Sequence, residues 1–319
     1  RREQIDEERF YPLQACVCRS CLLVQVPTAV PGDVLFGHYY FHSSVMATLV
    51  RHLSELAAEA HTRFLKGKPG LAVEIGCNDG ALLKPLAERG VRCVGVDPAR
   101  NVTDTIRDPR IAVVNDFFGE RVARQILRQE GEASVILSSY SFAHIDDMDD
   151  VMRGVTTLLT SDGVLIIDVY YLPTLLAGLQ YDMIYHEHFS YYSLMALTRF
   201  FARYGMEVAE VKTFPDIRGG TTRFYVRRAR GSPGPASPSV AAMLAEERAQ
   251  GIDRLETYAA FAERVRETRR ALLGLLDRLK AEGKRLIGYG ASGRAATIMN
   301  FCGIDRRYLD YVVDDTPAK

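Results

Sequence analysis

The sequence predicts an α/β protein: a doubly wound parallel sheet followed by a second, smaller α/β domain of Rossmann-like pattern. Three observations carry this reading. Short apolar runs alternate with stretches of helical spacing between residues 71 and 171, as βαβ units require. A strand, glycine turn and helix occur twice, at "VEIGCNDG" (73–80) and "GYGASGR" (288–294). Between them "GSPGPASPS" (231–239) is the one Pro/Gly/Ser-rich stretch and reads as a linker. The expected division is therefore 1–30, 31–230 and 231–319.

Each element follows from its own pattern. Apolar positions at helical spacing predict a helix over 43–66. "LAVEIGCNDGALLKPLAERG" gives a buried strand, the first glycine turn and a helix; "VRCVGVDPARN" gives a second strand ending in Asp97. "RIAVVNDFF", "ASVILSSYSFAHI" and "GVLIIDVYY" are the third to fifth strands, with helices at 102–107, 119–130 and 148–159 between them. "LTRFFARYGMEVAEVKTF" predicts a helix and a strand, and "TTRFYVRRA" that strand's antiparallel partner. Residues 240–282 read as mostly helical, with Glu263, Arg266 and Arg270 on a solvated face. "LDYVVDD" is a further strand after the second glycine turn.

The composition bounds the function. Among 319 residues, 40 basic and 40 acidic side chains cancel, and no basic stripe marks a nucleic-acid binder. No apolar run reaches the roughly 20 residues of a membrane span, and no secretory signal opens the chain. Six cysteines, three of them clustered at Cys16, Cys18 and Cys21, do not form a disulfide framework. The expectation is a cytoplasmic, soluble protein, a monomer or weak oligomer without nucleic-acid or membrane partners. The chain opens with Arg1 and stops just after a strand, so it reads as part of a longer protein.

The first glycine turn indicates a ligand. Gly76 and Gly80 let the backbone turn sharply and approach a bound molecule. Asp97, ending the next strand, can accept hydrogen bonds from ribose hydroxyls. Glu74 and Asp79, with Asn78 between them and Gly76, repel phosphate but suit a cationic ligand. S-adenosylmethionine (SAM) is such a ligand. The pattern is similar to the first motif of class I SAM-dependent methyltransferases, and "NDFF" resembles the segment beside the adenine there, implying Asn115, Asp116 and Phe117. A generic α/β glycine turn is the alternative.

Three clusters remain: "HYYFHSSVM" (38–46), "SYSFAHIDD" (139–147) and "IYHEHFSYYS" (184–193). In a helix His186 and His188 would diverge by about 200°; in a strand they share a face, with Glu187 opposite. Neither matches the i, i+4 histidine pair of a helical zinc site. An acid/base centre fits better. Methylating carbon needs a carbon nucleophile, made by removing a proton beside a carbonyl, and a positioned base contributes roughly 10²–10⁴ in rate. Histidine is the natural base near neutral pH, and Tyr or His donors can stabilise the enolate oxygen. Tyr185, Glu187, His188 and His144 supply such a set.

"EIGCNDGALL", "GVDPARNV", "SFAHIDD", "YHEHFSYYS", "RGGTTRFYV" and "GYGASGRAATIMN" followed by "LDYVVDD" occur in the order found in nucleotide-sugar C-methyltransferases, which the chain resembles over nearly its whole length. The resemblance implies a class I SAM methyltransferase core with a Rossmann-like C-terminal domain. It implies SAM as cofactor and a nucleotide-activated 4-keto-deoxysugar, TDP-linked, as acceptor. It implies His188 as the base, with Glu187, Tyr185 and His144 around it and either Tyr39 or Tyr40 as an upstream active-site tyrosine. Arg218, Gly219, Gly220 and Arg223, with Tyr289, Ser292 and Arg294, fall on the nucleotide-sugar side. Arg218 stands where the family commonly has His, and Arg294 where it has Lys, so the acceptor differs from the usual deoxysugar or is gripped differently. The resemblance also implies an N-terminal zinc module with two C-x-x-C pairs. Cys18 and Cys21 look like the second pair, with Cys16 a stand-in third ligand for structural zinc.

At the second glycine turn, helix-start N–H groups with Ser292 and Arg294 can hold a nucleotide diphosphate; a domain that only packs is the alternative. The function read from the sequence is SAM-dependent C-methylation of such a sugar through an enolate. Its rivals are a small-molecule O- or N-methyltransferase, a dinucleotide-dependent epimerase or reductase, and a non-catalytic sugar-nucleotide binder.

Overall fold

A computed structural model describes residues 9–67, 70–229 and 237–315. In chain order the strands are β1 (Cys16–Val17), β2 (Val24–Gln25), β3 (Leu71–Ile75), β4 (Arg92–Val96), β5 (Ile111–Val114) and β6 (Ala133–Ser139). They continue as β7 (Leu159–Tyr170), β8 (Ser190–Tyr191), β9 (Met206–Phe214), β10 (Thr221–Arg228), β11 (Gly288–Tyr289) and β12 (Val312–Val313). The central sheet runs β5-β4-β3-β6-β7-β10-β9. Its first five strands pair in parallel, and β10 pairs antiparallel with both β7 and β9. This is the doubly wound sheet of class I SAM methyltransferases.

The apolar runs are continuous because both sheet faces are covered. Every residue of β3 is buried. Along β3 and β6, Val73 and Ile136 enter one core with the helices Glu120–Glu130 and Met148–Leu158; Ala72, Val135 and Leu137 enter the other with the helices Ala47–Ala60 and Leu83–Glu88. The helical expectations hold with changed ends. The helix expected over 43–66 is a 3₁₀ turn at Ser43–Val45, an α-helix at Ala47–Ala60 and a π turn at His61–Leu65. The helix expected at 102–107 shrinks to Arg100–Thr103, where Thr103 and Thr105 hydroxyls donate to the Arg100 and Val102 carbonyls and so compete with helix propagation.

Two features were not legible as expected. The short strands β1, β2 and β8 form their own antiparallel sheet, which fastens the N-terminal segment to the chain just after "YHEHF". Val26 N–H donates to the Phe189 carbonyl beside it. Of the linker expected at 231–239, residues 231–236 lie outside the described residues, and Pro238 already opens a helix, Pro238–Ala249. The long helix Leu255–Ala281 then leads to β11, paired in parallel with β12. Among the described residues no helix is long and apolar enough to cross a membrane.

Candidate active site

A cavity of about 1560 Å³ opens at the C-terminal ends of β3, β4, β6 and β7, where ligands bind in open α/β sheets. One wall is the first glycine turn. Gly76 has φ +73°, and a Cβ there would lie 2.4 Å from Ser141 Cβ, so only glycine permits the turn to close on the strand β6 end. Asn78, at φ +51°, donates its N–H to Asp97 Oδ2 at 2.9 Å, and Ala99 N–H donates to Asp97 Oδ1 at 2.9 Å. Burial raises the Asp97 carboxyl against these bonds. Glu74 is buried with Oε2 unpartnered, and burial, then Asp97 and Asp79, push its carboxyl well above the usual range. A buried carboxylate oxygen without a donor, beside two further carboxylates, fits a ligand bringing positive charge and hydrogen-bond donors, not a phosphate.

Glu74, Gly76, Asn78, Asp97, Asp116 and Phe117 line the cavity. Asp79, Gly80 and Asn115 do not; they shape the wall. Asp79 Oδ2 accepts from Ser44 N–H at 2.9 Å, Gly80 turns at φ +77°, and Asn115 Nδ2 donates to Thr103 Oγ1 and to the Asp97 carbonyl.

The opposite wall is the histidine cluster. Residues 185–188 are neither helix nor strand. They form a turn closed by His188 N–H donating to the Tyr185 carbonyl. That turn sends Tyr185, Glu187 and His188 into the cavity, while His186 faces away to the Tyr11 carbonyl at 3.1 Å. His188 Nδ1 lies 2.8 Å from the Met183 carbonyl. A carbonyl only accepts, so Nδ1 carries the hydrogen and Nε2 keeps the basic lone pair. Burial pushes His188 down to about 4, and Arg218 and Arg294 add to the shift while the Met183 bond opposes it. The imidazole is thus neutral near pH 7. His144 stacks against it with ring centres 5.1 Å apart, and Phe36 stacks on the other face of His144 at 5.4 Å. Burial likewise holds His144 well below its ordinary value.

Tyr39 hydroxyl donates to Glu187 Oε2 at 3.2 Å, and burial raises both groups. Tyr40 is 75% exposed at the cavity rim, against the His38 ring. Of the two tyrosines, Tyr39 is therefore the one that touches the histidine cluster, through Glu187.

Of the residues expected on the acceptor side, Arg218, Ser292 and Arg294 line the cavity. Ser292 caps the helix Gly293–Cys302, accepting from Ala295 N–H. Arg294 pairs with Asp182 at 2.6 Å. Arg223 does not belong there. It is 2% exposed within the sheet, held by Asp168 through Nε at 2.7 Å and Nη2 at 2.9 Å, with His52 Nε2 on Asp168 at 2.8 Å. Gly219 and Gly220 also lie outside the cavity wall. A Cβ on Gly220 would meet Thr174 Cγ2 at 2.5 Å, and both glycines wind the loop that presents Arg218. Tyr289 is exposed and does not line the cavity itself, though it donates to Asp315, which does. Tyr140 and Tyr170 line the cavity without having been singled out; the readable signal was their position at the C-terminal ends of β6 and β7.

Two family models match the chain: a methyltransferase domain over residues 49–211 and a C-methyltransferase C-terminal domain over residues 216–319. The chain is 36% identical to the C-methyltransferase NovU of Streptomyces niveus, across 98% of this chain and 74% of that protein. The chain belongs to the SAM-dependent C-methyltransferases. It is also 29% identical to a ubiquinone biosynthesis O-methyltransferase of Azorhizobium caulinodans, over 39% of this chain and 47% of that one. Among solved structures, the CcbJ methyltransferase of Streptomyces caelestis covers 56% of this chain and 90% of its own at 18% identity, with a TM-score of 0.44.

The C-methyltransferase core thus has the first glycine turn on one wall of the cavity and the histidine cluster on the other. Two of its N-terminal cysteines lie together. Cys18 and Cys21 face each other across a tight turn, closed by Leu22 N–H on the Cys18 carbonyl. The Cys21 and Ser20 N–H groups lower the Cys18 thiol, and burial raises that of Cys21. No group of three or more His, Cys, Asp or Glu able to hold a metal occurs among the described residues, so Cys16 does not complete the shell. Zinc in a structural site takes four ligands, and these residues do not fit it as a whole site.

Proposed function

We propose that this C-methyltransferase acts on a nucleotide-activated 4-keto-deoxysugar, TDP-linked, and that His188 removes the proton beside the ketone. The observation that carries this reading is the His188 imidazole: neutral, lining the cavity, with Nδ1 committed to the Met183 carbonyl and Nε2 left basic. An acceptor with a ready oxygen or nitrogen nucleophile has less use for a base held in this way.

Glu74, Gly76, Asn78 and Asp97 hold the methyl donor, with Asp116 and Phe117 beside its adenine. When bound, SAM supplies an electrophilic methyl group on a sulfonium that departs as a neutral thioether. Tyr185 packs with its ring centre 4.3 Å from that of His188 and fixes the plane of the imidazole. Tyr39 holds Glu187, and the low-polarity stack of Phe36, His144 and His188 keeps water from the carbanion side. Arg294 and the Ser292 helix start face the same cavity and suit the diphosphate of the sugar nucleotide.

The test is the product. Wild-type protein, SAM and a panel of TDP-linked 4-keto-deoxysugars should give a new C–CH₃ group by mass and NMR, with loss of one hydrogen alpha to the ketone. His188→Asn should lower turnover by roughly 10²–10⁴. An O-methyl or N-methyl product, or wild-type turnover by His188→Asn, overturns the reading.

A further inference from the structure

Arg218 has an environment unlike that of the other cavity arginine. Its guanidinium lies over the ring of Tyr140 at 4.5 Å, with the rings of Tyr170 and Phe41 each at 5.5 Å. Aromatic faces attract a cation without neutralising it. No carboxylate pairs with Arg218 among the described residues, whereas Arg294 is paired with Asp182. The loop presents it under strain: Arg218, Gly219 and Gly220 have φ of +50°, +81° and +109° in succession, a left-handed backbone that is unfavourable for a residue with a side chain.

Its neighbours locate it between the two halves of the site. Tyr170, under the guanidinium, also packs 5.3 Å from the His188 ring. Phe41, on another side, accepts through its carbonyl from Asn78 of the donor turn at 2.9 Å. Arg218 therefore flanks the gap where base, acceptor carbon and methyl donor must meet, and it brings an unspent positive charge there.

We propose that Arg218 is the catalytic residue that holds the enolate oxygen. The inference rests on the enolate reading above. His188 Nε2 takes the proton from the carbon beside the ketone; the C–H pair becomes the C=C bond and the carbonyl π pair moves onto oxygen. That oxyanion lies against the Arg218 guanidinium. The C=C pair would then form the new bond to the methyl group, whose former bonding pair would stay on the departing thioether sulfur, as the oxygen pair returns and the C=O bond re-forms. A fixed cation, half-buried among aromatic rings and aimed at a charge that appears only during reaction, is the arrangement that accelerates a step instead of merely tightening binding.

Arg218→Gln and Arg218→Lys test it, using whichever TDP-linked 4-keto-deoxysugar of the panel the wild type methylates. Three quantities are read: exchange of the alpha hydrogen in D₂O, methyl transfer at saturating acceptor, and acceptor affinity by calorimetry. Arg218→Gln should slow exchange and saturated transfer together by about 10²-fold, the usual loss for one oxyanion donor, with affinity little changed. Arg218→Lys, which keeps a charge but loses the planar fork, should fall between. Weakened affinity with near-normal saturated transfer makes Arg218 a phosphate anchor and overturns the proposal. His188→Asn, run in parallel, separates the two readings. Wild-type transfer by that variant removes the enolate and this role with it, whereas impaired transfer there beside intact transfer in Arg218→Gln removes only the role of Arg218.

Discussion

Arg218 and Arg223 stand five residues apart, and their surroundings are opposite. Arg223, on β10, meets Asp168 directly across on β7 and is enclosed by His52 and Glu59 from the helix Ala47–Ala60. Arg218, in the loop just before that strand, meets three aromatic rings and no carboxylate among the described residues. One guanidinium is balanced within the fold and the other is left for something that arrives. What separates them is depth along the strand: two pleats into the sheet a charge must be paired, while at the strand's end it can be offered to a ligand.

The contrast can be broken most forcefully at the paired arginine. Arg223→Met leaves the buried Asp168 with His52 as its remaining partner and no fixed cation, and should lower the urea unfolding free energy by about 3 kcal/mol. Equal loss in Arg218→Gln would erase the distinction; there the change should be about 1 kcal/mol or less, the scale of its cation–π contacts.

A subtler effect is on pH. The groups around His188 are His144, Tyr170, Tyr185, Tyr191, Glu187, Arg218 and Arg294. With its folded value at about 4 and an unfolded value of 6.5, His188 binds more protons unfolded than folded between these limits. Its contribution to stability is therefore full above 6.5 and is lost as pH falls toward about 4. The acid limb of kcat/KM should likewise fall nearer 4 than 6.5, and Arg218→Gln should move it upward by removing a neighbouring positive charge. Arg223→Met, two pleats away, should leave that limb in place. The smallest effect is at the tyrosines: Tyr39→Phe removes the hydrogen bond to Glu187 and should lower turnover several-fold, and Tyr40→Phe should be near neutral in the same turnover assay.

The parallel sheet and the glycine turn were legible because they rest on local pattern: apolar runs of strand length, and glycines where no Cβ fits. The roles of the two arginines were not. "RGGTTRFYV" places both near an acceptor, and only the β7–β10 register shows Arg223 facing Asp168. His188 could be preferred to His186, yet neither helix nor strand geometry explained why, since the turn at 185–188 is fixed by long-range contacts with β2 and Tyr11. Tyr140 falls within the 139–147 cluster, but its place under Arg218 is not readable there, because its left-handed backbone, φ +64°, answers to the Asp168 carbonyl across the sheet and not to its own neighbours.

The segment 38–46 spans both walls of the cavity, and its backbone is fastened by side chains. Tyr39 N–H is held by Asn101 Oδ1, Ser43 N–H by Asn78 Oδ1 and Ser44 N–H by Asp79 Oδ2. None of these three amides belongs to a helix ladder or a sheet, so their protection against solvent deuterium depends on this crossing alone. They are a built-in gauge of how often the mouth opens, readable peptide by peptide before any substrate is known.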